Sequence, residues 1–120
     1  MVKRLACALV VALAAAVPAA AKEGAQAHLL GPLPKSASPG SFITVRWSVT
    51  VRGPNGTRAG ISAIGMLVRL VGHGGASTTA LARENVGPPY SARLRVPRGG
   101  IRAVRLGIAG SNGIYFFPLK

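Results

Sequence analysis

Between residues 41 and 52 apolar and polar side chains alternate: Ile43, Val45, Trp47, Val49 and Val51 against Thr44, Arg46, Ser48, Thr50 and Arg52. A period of two with so many β-branched residues predicts a strand with one buried face. Tyr90, Ala92, Leu94 and Val96 alternate in the same way with Ser91, Arg93 and Arg95, which predicts a second such strand. Residues 64–71 are more continuously apolar and suit a strand covered on both faces, with Met66 in the core among Ile64, Val68 and Leu70. Weaker strand patterns run over 25–30, 76–83, 101–108 and 114–119. After residue 22 no window sustains the 3.6-residue period of a helix.

Turn-forming segments separate these runs: Gly53-Pro-Asn-Gly56, Gly72-His-Gly-Gly75, Gly87-Pro-Pro89, Pro97-Arg-Gly-Gly100 and Gly110-Ser-Asn-Gly113. Glycine supplies positive φ at such points, and proline presets φ while removing a ladder donor. About seven strands at roughly twelve-residue spacing predict an all-β fold, an immunoglobulin-like antiparallel sandwich, with a small barrel as the alternative. The loop over 31–40 is too short to link domains, so residues 22–120 are expected to form one β-sandwich domain.

The start of the chain follows a different logic. Lys3 and Arg4 precede an unbroken apolar run from Leu5 to Val17, then Pro18 and the small residues Ala19-Ala20-Ala21. Positive charge, apolar run and small-x-small site, in that order, predict a secretory signal peptide over 1–21 and an exported, secreted or envelope protein. The run falls short of the ~20 apolar residues that a spanning helix needs. Cys7 lies inside it, so the exported chain has no cysteine and no disulfide. Such a domain rests on its hydrophobic core alone. A second small-x-small site, Ala25-Gln26-Ala27, would make His28 the first residue.

The segments Ser38-Pro-Gly-Ser-Phe-Ile-Thr-Val-Arg-Trp-Ser-Val49, Met66-Leu-Val-Arg-Leu70 and Tyr90-Ser-Ala-Arg-Leu-Arg-Val-Pro-Arg-Gly-Gly-Ile101 resemble small exported bacterial sandwiches of the YtkA-like and carboxypeptidase-regulatory-like kind. The shared features are a Pro-Gly opening into an alternating strand and a late Tyr-x-Ala-x-x-x-Val-Pro strand. The resemblance implies a non-catalytic domain. The Ala-Gln-Ala-His28 stretch is similar to the opening of the copper-resistance CopC sandwiches, whose N-terminal His helps bind copper. No downstream His-x-His or Asp-x-His partner follows it.

Composition narrows the chemistry. The chain has 15 Lys and Arg against 2 acidic residues, Glu23 and Glu84. Paired-carboxylate glycosidase chemistry, EF-hand loops and two-metal phosphoryl transfer all need more acids. Ala109-Gly-Ser111-Asn-Gly113 has the spacing of a nucleophile elbow, but an elbow joins a strand to a helix, and here it falls between two strands. It is read as a hairpin turn, and no enzyme is expected. His73 falls in a glycine-rich turn. If the chain began at His28, its amine and imidazole would form a Cu(II) chelate, so His28 is the one candidate metal ligand.

Charge is the remaining signal. Removing residues 1–21 takes away only Lys3 and Arg4 among the charged residues, and lowers the net charge from +13 to +11. Arg46 and Arg52 point outward on one predicted strand and Arg93 and Arg95 on another. In an immunoglobulin-like order those strands are neighbours, so the four arginines would form an anion-binding face with Thr44, Thr50 and Ser91. Arg98, Arg102 and Arg105 are expected to extend the charge onto the next strand. Such a field suits an anionic envelope polymer or lipid surface, and a partner protein is the other expectation. Specific nucleic-acid binding is not expected, because aromatics are only 5% and Trp47 points inward. High-GC codon usage or protection of sheet edges would also enrich arginine. The expectation is an exported, non-enzymatic β-sandwich of the bacterial envelope, with a CopC-like copper module as the alternative.

Overall fold

The computed structural model describes residues 24–83 and 89–120. Residues 1–21, over which a signal peptide is expected, together with Glu23, Glu84 and most of the Gly87-Pro-Pro89 turn, lie outside them. Eight strands follow in chain order: β1 (Gln26–Leu29), β2 (Phe42–Arg52), β3 (Arg58–Gly60), β4 (Met66–Val71), β5 (Ser77–Leu81), β6 (Tyr90–Arg95), β7 (Ala103–Gly110) and β8 (Gly113–Phe116). Seven match the predicted runs. The eighth, β3, has only three residues, too few for a period to register.

All the ladders are antiparallel and fall into two sheets. Sheet A is organised by β2, whose 11 residues reach three partners. Trp47 is in register with Leu29 of β1 and with Tyr90 of β6, so those two strands flank β2 on opposite sides. Thr50 is in register with Gln26 and Gly60, which places β3 end to end with β6. Sheet B runs β5-β4-β7-β8. The strands β1-β2-β6 facing β5-β4-β7-β8 form an immunoglobulin-like sandwich.

The pleat of each long strand selects the core. Val45, Trp47 and Val49 of β2 and Tyr90, Ala92 and Leu94 of β6 are buried against Met66, Val68 and Leu70 of β4 and Leu106 and Ile108 of β7. Ile64 departs from expectation. It precedes β4 and is 85% exposed, so Met66 has no Ile64 beside it in the core.

The two sheets are stitched at both edges. Ala27 bridges Leu119 in parallel, with Ala27 N donating to Pro118 O (2.8 Å) and Lys120 N donating to Ala27 O (2.9 Å). At the other edge Thr78 Oγ1 donates to Arg95 O (2.6 Å), and Arg83 N donates to Ser91 O (2.9 Å). At one end two turns meet backbone to backbone. A Cβ on Gly72 would lie 2.2 Å from Arg98 O, and one on Gly99 would lie 2.3 Å from His73 O. Only glycine permits that approach.

Candidate anion-binding faces

The register of β2 with β6 decides what stands together outside sheet A. Phe42 is opposite Arg95, Thr44 opposite Arg93, and Arg46 opposite Ser91. Arg46 and Arg93 are therefore diagonal neighbours, close enough for long side chains to share a ligand. The Cζ atoms of Arg93 and Arg95 stand 4.2 and 4.5 Å from the centroid of the Phe42 ring. Stacking on a ring face holds a guanidinium while leaving its N–H edge available to an oxyanion. Arg95 also donates from Nη1 to Gly40 O (2.9 Å). Phe42, 45% exposed, was not singled out in the sequence. Its position one residue before the alternating run, on the polar parity, was the available signal.

Arg52 shares the face but not the cluster. It lies six residues beyond Arg46, about 20 Å along the strand, in register with Arg58 of β3. There Arg58 has a structural occupation. Arg58 donates from Nε to Thr50 Oγ1 (2.9 Å) and from Nη2 to the carbonyls of Thr50 (2.8 Å) and Gly24. Arg52, Arg58 and Lys120 line an open cleft of about 470 Å³ between the start of β1, the β2–β3 hairpin and the tail. The predicted face is thus two sites, Arg46/Arg93/Arg95 at one end and Arg52 at the other, and Thr50 belongs to the second.

Arg105 does not extend this face. The chain crosses to the other sheet after β6, with Val96 and Ile101 buried on the way, and β7 belongs to sheet B. Arg105 is in register with Arg69 of β4, outside sheet B. Both stand over the Phe116 ring, with Cζ at 3.9 Å for Arg105 and 5.2 Å for Arg69. Arg69 Nε also donates to Thr79 Oγ1 (2.9 Å). The same local device, a phenylalanine beneath two arginines, thus recurs on opposite sides of the sandwich. Arg98 and Arg102 lie in the crossing and are exposed.

His28 sits on β1, with Nε2 3.0 Å from Thr50 Oγ1. No group of three or more His, Cys, Asp or Glu residues comes together among the described residues. The chelate would require a chain beginning at His28. Such a chain would lose Ala25 and Ala27, 2% and 0% exposed, from the core, together with the Ala27 bridge to the tail. Ser111 and Asn112 form the two-residue turn between β7 and β8, with Gly110 in register with Gly113. His73 is exposed in its turn.

Comparison with protein-family models, curated proteins and solved structures finds no match for this chain. Its candidate chemistry rests on two arginine–phenylalanine clusters on the outer faces of the sandwich.

Proposed function

We propose that the chain is an exported, non-enzymatic β-sandwich of the cell envelope that holds a phosphate-bearing anionic polymer against the outer face of sheet A. The observation carrying this reading is the Arg46/Arg93/Arg95 cluster around Phe42, among described residues that include no carboxylate side chain. Guanidinium groups match phosphate oxygens in a bidentate fork, and a stacked guanidinium loses less freedom on binding than a free one. Thr44 and Ser91 add hydroxyl donors beside the arginines. The signal-like pattern over residues 1–21 supports export, and the burial of Ala25 and Ala27 favours cleavage after Ala21 over cleavage after Ala27.

Binding to a soluble teichoic acid, followed across a salt series, tests the reading. Exposed charges are screened over about 8–10 Å at 0.1–0.15 M salt, so affinity should fall steeply with salt. Arg46→Ser with Arg93→Ser should weaken binding more than the charge-matched pair Arg83→Ser with Arg98→Ser. Arg58 is unsuitable as a control because it holds Gly24 and Thr50. Equal losses would mean that net charge alone attracts the polymer. No binding at low salt would overturn the proposal.

A further inference from the structure

The outer face of sheet B is more apolar than a solvated sheet face requires. One row across it reads Leu81, Leu67, Gly107 and Phe116, and the next carries Ala109 and Ile114. Leu67 stands on this side of β4 but is only 2% exposed, already covered by the chain itself, so the apolar surface is offered by its neighbours. Phe116 lies against bare backbone, because a Cβ on Gly107 would come within 3.0 Å of its Cδ1. Leu81 on the β5 edge and Ile114 on the β8 edge are 62% and 40% exposed. Ile64 is 85% exposed in the segment that joins Ala109 through the Gly65 carbonyl. The two central strands carry Arg69 and Arg105.

This arrangement inverts that of a protein interface, which has an apolar centre and a polar rim. Here the cations are on the central strands, and the large aliphatic side chains that these strands leave exposed, Leu81 and Ile114, stand at the edges. A second copy of the chain fits poorly, because two-fold pairing would bring Arg69 and Arg105 against their own counterparts. An anionic bilayer fits both features. Its headgroup phosphates complement the arginines, whose stems lie over Phe116, and its fluid boundary accepts separated aliphatic groups without matching their shape.

We infer that the outer face of sheet B docks on an anionic lipid surface, leaving the opposite face of the sandwich to the polymer. The lipid assignment stands on sheet B alone, and the two-sided arrangement rests on the polymer reading. Co-sedimentation of the purified protein with phosphatidylglycerol vesicles, with phosphatidylcholine vesicles as the reference, tests it. Binding should be selective for phosphatidylglycerol and should fall about tenfold in a Leu81→Ser, Ile114→Ser double variant. That variant should keep the wild-type melting temperature, since both side chains are exposed, and its teichoic acid affinity. Arg46→Ser with Arg93→Ser should do the reverse, losing polymer and keeping vesicles. Vesicle binding that survives loss of Leu81 and Ile114, or that depends on Arg46 and Arg93 instead, would overturn the inference and leave the polymer reading standing. So would a dimer in sedimentation equilibrium that the Leu81/Ile114 variant dissolves, because a second copy would then cover the face. Loss of polymer binding alone would overturn the polymer reading and leave the lipid face intact.

Discussion

Trp47 and Tyr90 are cross-strand partners on the inner face of sheet A, with ring centroids 5.8 Å apart and planes inclined by 28°. The pair joins the core to the part of the fold that has least sequence signal. The Tyr90 hydroxyl donates to Ile61 O (2.7 Å) and accepts from Ala63 N (2.9 Å). It thereby pins the segment between β3 and β4 to the start of β6. Trp47 is fully buried, and its Nε1–H has no hydrogen-bond partner among the described residues.

Trp47→Ala should therefore destabilise the fold by ~3–5 kcal/mol, the range for deleting a buried aromatic, in a domain without a disulfide. Trp47→Phe should cost distinctly less. It keeps most of the apolar contact and removes an unsatisfied donor. Urea unfolding of the two variants ranks them. Equal midpoints would show that packing around the indole does not dominate.

Tyr90 should make the fold sensitive to alkali. Burial pushes its phenol above the ordinary value of 10.0, and the hydrogen bond from Ala63 N opposes that rise only in part. Below the unfolded value both states hold the proton, and the contribution to stability is complete. As pH rises past it, the unfolded chain ionises first. The contribution then declines and is lost as pH passes the folded value. Denaturant midpoints above pH 10 should fall with this component in the wild type and not in Tyr90→Phe. The variant itself should be less stable near neutrality by about 0.5–1.5 kcal/mol per hydrogen bond lost.

The meeting of the 72–75 and 97–100 turns should be intolerant of any side chain. Gly99→Ala faces both a φ of 87° and the His73 carbonyl. A loss of at least ~1–3 kcal/mol is expected, the scale of one strained backbone position. Gly74→Ala, with a φ of 90° but nothing within 4 Å, isolates the conformational part. Thermal melts of the two should differ, with Gly99→Ala the lower.

Stability should rise with salt. Arg69 and Arg105 are directly opposed across β4 and β7, and no described residue carries a carboxylate side chain to offset them. The screening length falls from about 30 Å at 0.01 M to about 10 Å at 0.1 M. The melting temperature should climb over that interval, and an Arg105→Thr variant should climb less. A flat profile would mean that stacking on Phe116 already relieves the repulsion.

Alternation by itself identified β2 and β6 and assigned every buried side chain on them, because a half-buried strand writes its two faces directly into the order of residues. Turn chemistry set the breaks, since glycine and proline act on the local backbone. For the same reason the outward direction of Arg46, Arg52, Arg93 and Arg95 was readable from sequence. Which of them stand together was not. The distance from Arg46 to Arg52 follows from their spacing on one strand, but the packing of β3 and Gly24 around that end of β2, which gives Arg58 a structural task, does not. The crossing after β6 carries Arg105 to the other sheet, where it meets Arg69 and Phe116. Those placements depend on contacts between residues far apart in the chain, which no local pattern encodes, so tertiary structure alone decided that the arginines form two faces.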